Sequence, residues 1–399
     1  MQAGRRGRRP LARLVSSARY AAPALFGYVL VRAIGIAVLM LWEGQHGTTS
    51  LHRLSTLWDA SWYQDIARHG YAGTVPRPGP YGPYQPYAFF PVYPMLIRVV
   101  WWLGPLSVNY AALVVAWIAA LVAAWGIFAV GERLYNRRTG VIAAALWGVT
   151  PYAVVESMAY SELVFSALAV WAMYAAVTRR WVWAGVLASL AGLTRPTGVA
   201  VAAAIGIGGV AALLVQWRQD RRGVLPEEDR LPWWRPLLGA ALAPLGFVGF
   251  ILWVGWQKGS LDAYFRIQDA WQSHFDFGRS TAHSFRVMLM VPGPVWMTDV
   301  VVAATITVSV LLLVVSVLQR QPLTLIVYSG MILLLALGDA AYFNSRARFL
   351  IPAFALLFPL AGNLARVRTR GLVPAVLATA ALCSAAYGGY VVFVYTNSP

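Results

Sequence analysis

The segment WDASWYQDIARHGY, residues 58–71, carries two carboxylates, an arginine and a histidine among four aromatic residues, in a chain that is only 12% charged. Asp59 lies one helical turn before Tyr63, so the two side chains would share a helix face, whereas Asp65 would point elsewhere. Two explanations for Asp59 stay open. It caps the start of a helix by accepting backbone N–H groups, or it is a general base that takes a proton from a hydroxyl group.

Three arginines form a second group of candidate residues: Arg195 in GLTRPTG, and Arg346 and Arg348 in NSRARF. A guanidinium group binds phosphate oxygens through a planar fork of N–H groups. The alternatives are contact with lipid headgroups and pairing with the nearby carboxylates of Glu162 or Asp339. The sequence leaves a role at a substrate phosphate open beside them.

The run PYGPYQPYAFFPVYP, residues 80–94, combines tyrosines with prolines. Its prolines exclude a regular helix over the first half and predict an extended wall of tyrosine rings. Such a wall stacks on sugars or lines an entry for a lipid tail. The other interpretation is an aromatic belt at a membrane interface.

The elements that must position these residues are membrane helices. The chain is 59% hydrophobic with a mean hydropathy of +0.61, and apolar runs long enough to cross a bilayer recur along it. An all-α polytopic membrane protein is predicted, with about eleven spans at residues 22–42, 108–130, 140–156, 160–178, 182–194, 196–216, 236–256, 299–318, 323–340, 349–363 and 371–395.

The basic residues indicate the orientation of these spans. With a cytoplasmic N-terminus, the inside segments hold most of the 32 Lys and Arg residues and one third of the 15 acidic residues, as the positive-inside rule expects. The net charge of +17 is therefore a topology signal, which argues against a nucleic-acid partner. This orientation requires residues 88–104 to lie at the interface without crossing. Arg32, inside the first span, is expected to snorkel to the cytoplasmic surface.

Four parts of the chain follow from this topology. Residues 1–21 form a basic cytoplasmic N-terminus, and residues 217–235 a cytoplasmic connector. Between them lies a module, residues 22–216, with one large extracytoplasmic segment at 43–107 that carries juxtamembrane helices. Residues 236–399 form a second transmembrane module with an extracytoplasmic segment at 257–298.

Cofactor motifs are missing from the sequence. The single cysteine, Cys383, excludes an intramolecular disulfide and a cysteine-based metal site. The five histidines show no metal-ligand spacing, and neither a P-loop nor a GxGxxG follows a strand pattern. No cofactor is predicted, and a divalent metal is optional.

Five stretches in order resemble the GPI mannosyltransferase II (PIG-V-like) family of the GT-C superfamily of membrane glycosyltransferases. They are WDASWYQDIARHGY, AFFPVYPMLIR, AYSELVFSALAV, LAGLTRPTG and RARFLIPAF. The resemblance covers about the first 200 residues in motif order and spacing, and the remainder mainly in topology. It implies a GT-C-like bundle and a polyprenyl-phosphate sugar donor, most often mannose. The acceptor, a lipid or glycan hydroxyl at the extracytoplasmic side of the cell membrane, stays open.

The same resemblance implies roles for individual residues. Asp59, on the first extracytoplasmic loop, matches the catalytic acid position. Arg195 and Arg348 match the arginines of the TRPTG and late FLIP motifs and, with Arg346, are expected at the lipid phosphate. The supporting residues expected around them are Trp58, Tyr63, Asp65, Tyr93, Tyr160 and Glu162. Base-activated attack on the anomeric carbon would invert its configuration.

Two other functions remain open at this point. A transporter or flippase of a lipid-linked sugar would also need a polar site in the membrane, although such proteins more often show related halves and polar residues deep in broken helices. A non-catalytic partner subunit would keep the fold and tolerate loss of Asp59. The gathering of carboxylates at one predicted face favours an enzyme.

Overall fold

The computed structural model describes residues 10–44, 47–224, 226, 230–395, 397 and 398. Most of these residues are helical, and among them the only strand-like pairings are isolated bridges between Arg77 and Tyr84 and between Phe275 and Asp339. The first nine residues of the predicted basic N-terminus, and residues 225 and 227–229 of the predicted connector 217–235, lie outside the described residues.

Nine α-helices lie in the N-terminal part of the described residues. They are α1 Pro10–Glu43, α2 Ser50–Thr56, α3 Asp59–Gly73, α4 Val92–Leu103, α5 Val108–Leu134, α6 Arg137–Trp147, α7 Glu162–Val177, α8 Trp181–Gly192 and α9 Gly198–Arg221. Short 3₁₀ turns at Pro86–Ala88 and Ala153–Ser157 join some of them.

Nine more lie in the C-terminal part that the structure describes. They are α10 Trp234–Leu242, α11 Leu245–Lys258, α12 Ala263–Asp269, α13 Arg279–Met290, α14 Met297–Leu318, α15 Leu323–Gly338, α16 Arg346–Phe349, α17 Phe358–Arg366 and α18 Leu372–Gly389. A π-helical turn, Tyr390–Val394, extends α18.

The protein is a multi-pass membrane protein. Within the described residues, six helical segments are long and apolar enough to cross a bilayer: α1, α5, α9, α10 with α11, α14, and α18 with its extension. A seventh candidate is the pair of segments Phe343–Phe349 and Phe354–Arg366, which meet at 76°. Several predicted spans correspond to shorter apolar helices, such as α7, α8 and α15. The count of eleven spans therefore stays a prediction.

The predicted interfacial segment, residues 88–104, contains the 12-residue helix α4. At about 1.5 Å per residue, this helix is about 18 Å long and too short to cross about 30 Å of hydrocarbon alone. Because α8, which corresponds to the predicted span at 182–194, also has 12 residues, the interfacial position of residues 88–104 stays a prediction.

Helices α7, α8 and α9 pack side by side and alternate in direction. α7 begins at Glu162 and ends close to Arg179 and Arg180, α8 returns to the starting end, and α9 leaves it again towards Arg218 and Arg221. Glu162 and the 193–197 turn therefore lie at one end of the bundle, and the arginine clusters lie at the other. The end that holds Glu162 is called the acidic end below.

Small residues allow these helices to approach closely. A Cβ on Gly126 of α5 would lie 2.4 Å from Cγ1 of Val170 in α7, and one on Gly185 of α8 would lie 2.4 Å from the Gly239 carbonyl oxygen in α10. Such contacts replace the hydrophobic driving force that helices lack inside a bilayer. They hold rigid the helix ends from which the candidate site is built.

The expectation that Arg32 snorkels to the surface is wrong. Its guanidinium points into the bundle, where Nη1 donates to the Gly148 carbonyl at 3.1 Å and Nη2 donates to Ser157 Oγ at 2.6 Å. Snorkelling fails because these acceptors, freed by the break in helix between α6 and α7, pair with both Nη groups inside the bundle, while the buried Nε has no partner among the described residues.

Candidate active site

Four segments of the chain meet at the acidic end of the bundle. They are the start of α3, the residues before and at the start of α7, the turn between α8 and α9, and the short helix α16. These segments contribute Asp59, Glu162, Arg195 and Arg348. The four residues lie far apart in the sequence, and the helix packing brings their charged groups into direct contact.

The position of Asp59 depends on a sharp turn at Trp58. Trp58 has φ 52° and ψ −117°, a conformation that a bulky residue adopts only under strain, at a cost of about 1–3 kcal/mol. The turn ends α2 and starts α3 directly at Asp59. Asp59 is thus the first residue of α3, and the N-cap position belongs to Trp58, which makes no side-chain capping bond.

The four charged side chains form a row of ion pairs with alternating sign, called the ion-pair cluster below. Asp59 Oδ2 lies 3.0 Å from Arg348 Nη1, and Arg348 Nε lies 3.2 Å from Glu162 Oε1. Glu162 Oε2 lies 2.7 Å from Arg195 Nη1. Two positive and two negative charges make the cluster neutral as a whole, which lowers the cost of burying it.

Burial differs along this cluster. The side chains of Glu162 and Arg348 are 1% and 7% exposed, whereas that of Asp59 is 20% exposed. Glu162 therefore orients the two arginines from within the protein, and Asp59 is the carboxylate that a substrate can reach. Glu162 also lies in the first turn of α7, where the helix dipole favours a negative charge.

Tyr63 joins the cluster through Ser161. The Tyr63 hydroxyl and Ser161 Oγ are 2.7 Å apart, and Arg195 Nη1 donates to the same Ser161 Oγ at 2.9 Å. The Tyr63 ring is held edge-on by Tyr93, at 4.9 Å between ring centroids, and Tyr93 itself donates to the Ala112 carbonyl. Tyr93 thus supports the site from behind, and Ser161 is a member that sequence reasoning did not identify.

Aromatic rings lie against both arginines. The Arg348 guanidinium carbon lies 5.3 Å from the centroid of the buried Tyr160 ring and 5.1 Å from that of Phe349, and Arg195 lies 5.7 Å from Phe349. These distances are within the range of cation–π attraction. The ring of Tyr160, one of the expected supporting residues, therefore lies beside the Arg348 guanidinium.

A cavity of about 420 Å³ opens beside the cluster and has two kinds of wall. Asp59, Tyr63, Arg195 and Arg348 contribute polar groups. The apolar part of the lining comes mainly from the adjacent residues Phe89 and Phe90 and from helices of the bundle, which contribute Val199, Phe247, Leu335, Ala336 and Phe349. Such a cavity suits a ligand with a charged group and an attached apolar chain.

Residues of the segment 257–298 form another wall of this cavity. Tyr264, Gln268, Asp269, Ser273 and His274 line it from α12 and the residues that follow. None of these side chains was singled out as a site residue from the sequence. They add hydrogen-bonding groups to the cavity beside those of the ion-pair cluster.

Several contacts fasten this wall to the rest of the protein, among them those of Ser273 and of the neighbouring Trp271. Ser273 Oγ lies 3.2 Å and 3.3 Å from the two carboxylate oxygens of Asp339, at the end of α15. Trp271 stacks on Tyr84 with ring centroids 4.0 Å apart.

The predicted wall of tyrosines is used mainly for packing. Tyr84 stacks on Trp271, and Tyr87 packs against Tyr71 and Trp253. The cavity lining takes Ala88, Phe89 and Phe90 from this run, and the tyrosines of the run are not among the lining residues. The prolines did prevent regular helix before α4, as expected.

Two predicted site residues lie outside the cluster. Asp65 Oδ2 accepts from Arg77 Nη2 at 2.7 Å, and the same arginine stacks over Trp62, so this pair fastens the loop after α3 to its helix. Arg346 is 1% exposed and donates from Nη2 to Ser280 Oγ and to the Asp339 carbonyl, both at 2.7 Å. The structure therefore gives Asp65 and Arg346 structural contacts in place of a position at the cavity.

A metal site does not emerge from the described residues: no group of three or more His, Cys, Asp or Glu side chains among them is arranged to hold an ion. Among the described residues, the arginines that line the cavity are Arg195 and Arg348. Both present guanidinium groups at its edge.

Residues 85–226 match the family model described as dolichyl-phosphate-mannose-protein mannosyltransferase. This region holds α4 to α9 and thus Glu162 and Arg195, and it leaves Asp59 and Arg348 outside. No curated protein matches the chain.

Solved structures similar to this chain share its architecture at low sequence identity. ArnT from Cupriavidus metallidurans bound to undecaprenyl phosphate is 15% identical with a TM-score of 0.53, over 89% of this chain and 63% of that one. The Archaeoglobus fulgidus oligosaccharyltransferase tethered to an acceptor peptide is 15% identical with a TM-score of 0.52, over 94% of this chain and 56% of that one. This chain therefore spans about three fifths of the length of these proteins. The predicted GT-C-like helical fold is confirmed.

Proposed function

We propose that this protein is a membrane glycosyltransferase that moves a sugar, mannose, from a polyprenyl phosphate carrier to a hydroxyl group of a lipid or glycan acceptor. The observation that carries the proposal is the reachable carboxylate of Asp59 beside Arg348, at the edge of a cavity with an apolar wall. The family match and the undecaprenyl phosphate bound by a protein of the same fold support the choice of donor.

In the proposed reaction, the acceptor hydroxyl oxygen attacks the anomeric carbon while the bond from that carbon to the phosphate oxygen breaks. Asp59 takes the hydroxyl proton. The polyprenyl phosphate leaves with one additional negative charge, which Arg348 and Arg195 stabilise through charge-assisted hydrogen bonds. Attack opposite the leaving group inverts the configuration at the anomeric carbon.

The resting geometry adds a condition to this reaction. Arg348 is already paired with Asp59 and Glu162, so the donor phosphate must compete with Asp59 for this guanidinium. A phosphate that takes over Arg348 leaves the Asp59 carboxylate free to accept a proton. Donor binding would thus prepare the base, and the acceptor would react second.

The apolar wall formed by Val199, Phe247 and Leu335 gives the carrier tail a route from the arginines along the bundle. The polar groups of Gln268, Asp269 and Ser273 on the opposite wall remain available for sugar and acceptor hydroxyls. This division places the reacting carbon between the two walls, next to Asp59. The extracytoplasmic side is proposed for this end of the bundle because the arginine clusters occupy the opposite end.

The test is a transfer assay with purified protein in lipid nanodiscs. Radiolabelled polyprenyl-phosphate mannose is incubated with the protein and a membrane extract, and the labelled products are separated from the donor. Transfer of label to a new product supports the proposal. Movement of intact donor across a vesicle membrane without any product would contradict it and favour a flippase. Nucleotide-linked mannose, which lacks the lipid tail, serves as the control donor and is expected to give no product.

A further inference from the structure

Arg32 lies deep within the first membrane helix. It follows Tyr20 by twelve residues, which places it about 18 Å along α1 at about 1.5 Å per residue. Tyr20 marks the opposite end of the bundle, because its carbonyl accepts from Arg137 at the start of α6. A charged residue at such a depth is costly and usually serves a function. The proposed chemistry gives Arg32 no part, so its role needs another explanation.

The contacts of Arg32 converge on the break between α6 and α7. One Nη group holds the carbonyl of Gly148, just after α6, and the other holds Ser157 Oγ at the end of the Ala153–Ser157 turn. The planar guanidinium thus bridges the two sides of the break. A lysine ammonium is a point charge and lacks this planar fork of two separate Nη groups.

Two further contacts fix the same turn. Tyr28, one helical turn before Arg32, donates to Glu156 Oε2 at 2.9 Å, and Trp117 of α5 donates from Nε1 to the Ser157 carbonyl at 3.1 Å. Glu156 and Ser157 are each 2% exposed. The turn is therefore held by polar side chains from two membrane helices in a buried setting, where each unmet group would be expensive.

The Ala153–Ser157 turn is connected to both carboxylates of the ion-pair cluster, Glu162 and Asp59. Tyr160, Ser161 and Glu162 follow the end of this turn, Ser157, by three, four and five residues. Ala159 N–H donates to the Leu54 carbonyl of α2 at 2.9 Å, and α2 ends at the strained turn that begins α3 with Asp59. A displacement of the turn would therefore be transmitted to Glu162 through the residues that connect them, and to Asp59 through α2.

We infer that Arg32 is a positioning residue that sets the Asp59 and Glu162 carboxylates against Arg348 by holding the Ala153–Ser157 turn, an inference that rests on the proposed function. The residue acts through the backbone and touches neither substrate. A displacement of about 1 Å at a catalytic group is enough to slow a reaction by about 10²-fold. The first membrane helix thus takes part in building an active site whose reacting groups lie in other segments.

The experiment compares Arg32→Lys with the matched control Arg138→Lys in the transfer assay. Arg138 donates to the Val367 carbonyl at 2.9 Å at the other end of the bundle, so its replacement removes one comparable bond far from the site. Arg32→Lys keeps the charge and is expected to lower kcat by about 10- to 100-fold per folded molecule. The KM for the donor should change by less than about threefold, and Arg138→Lys should leave kcat unchanged.

Ser157→Ala provides a milder variant that loses only the hydroxyl acceptor of Arg32. It is expected to lower kcat in the same direction, and the effects of Arg32→Lys and Ser157→Ala on kcat should be non-additive because both act through one contact. Equal kcat values for wild type and both variants, with only the melting temperature lowered, would show a purely structural role and overturn the inference. Absence of transfer by the wild type would instead overturn the proposed function.

Discussion

Arg348 Nη1 lies 3.0 Å from Asp59 Oδ2, although 288 residues separate the two in the chain. The contact joins the carboxylate that is proposed to take a proton to the cation that is proposed to bind the leaving phosphate. Its consequence is coupling: whatever engages one of these side chains changes the state of the other. The predictions below follow from this coupling and from the segments that support it.

Replacement of the arginines should affect the donor first. Arg348→Ala and Arg195→Ala each remove a phosphate ligand and are expected to lower kcat/KM for the polyprenyl-phosphate donor by about 10²-fold or more, with the acceptor KM little changed. Initial-rate measurements with each substrate varied in turn check this. Arg346→Ala is the control, because Arg346 contacts Ser280 and Asp339 away from the cavity; it should lower thermal stability and spare donor use. A selective loss of acceptor use would exclude the phosphate role.

Removal of the charge on Glu162 should destabilise the ligand-free protein, and bound ligand should offset this destabilisation. Glu162→Gln leaves Arg195 and Arg348 without a shared buried partner, a change that typically costs about 3–5 kcal/mol. Polyprenyl phosphate would restore a negative charge beside both arginines. Thermal unfolding should therefore show a larger ligand-induced rise in melting temperature for Glu162→Gln than for wild type.

Glu132→Gln is the matched control for that experiment, since Glu132 accepts a hydrogen bond from Tyr20 at the opposite end of the bundle. Its ligand-induced shift should equal that of the wild type. Equal shifts for Glu162→Gln and wild type would mean that the phosphate binds away from the two arginines.

The outer wall of the cavity should loosen in acid. Burial pushes the pKa of Asp276 upward, but hydrogen bonds from Ser280 and from the Gly278 N–H outweigh it, so this pKa lies below its ordinary value. The stabilisation is then present above the pKa of an unfolded aspartate and is lost as the pH falls through the lower, folded value. Hydrogen exchange at residues 273–281, corrected for intrinsic rates, should accelerate over that acidic range.

Asp276→Asn should produce the same loosening at neutral pH, with a loss of protection of about tenfold or more at these amides. Asp262→Asn is the control, because the Asp262 carboxylate interacts with Ser260 and Arg266 near the end of α11 and in α12, away from this segment. Unchanged protection in Asp276→Asn would remove the carboxylate from its proposed role in fastening the wall.

The orientation of the protein can be tested with single cysteines. Val75 and Val224 are 77% and 69% exposed and lie on the two predicted sides of the membrane. In a Cys383→Ser background, a membrane-impermeant maleimide added to intact cells should label Val75→Cys and leave Val224→Cys unlabelled until the cells are opened. The reverse pattern would place the acidic end of the bundle in the cytoplasm.

Local patterns in the sequence predicted much of the site. From the residues alone, the sequence placed Asp59 and Tyr63 on one helix face and left open whether Arg195 and Arg348 pair with carboxylates or bind a phosphate. The resemblance to a known family then grouped Asp59, Glu162, Arg195 and Arg348 as expected site residues. The helical fold followed from the length and apolarity of the runs. In the structure, the four charged groups touch one another.

The remainder depended on tertiary contacts that local patterns do not encode. Arg346 and Arg348 are two residues apart, yet the turn of α16 sends one to Asp339 and the other to Asp59. Ser161 and Gln268 are common polar residues whose importance comes from what packs beside them. Arg32 was assigned to the surface because its acceptors, Gly148 and Ser157, become available only when α6 breaks.

The central claim is that Asp59 accepts the proton of the acceptor hydroxyl, and the most direct measurement compares Asp59→Asn with Asp65→Asn in the transfer assay. The two variants make the same chemical change six residues apart in α3, and Asp65 pairs with Arg77 away from the cavity. Asp59→Asn should lower kcat by about 10²- to 10⁴-fold while polyprenyl phosphate still binds, and Asp65→Asn should retain most activity. An Asp59→Asn protein that transfers sugar within about tenfold of the wild-type rate would contradict the claim.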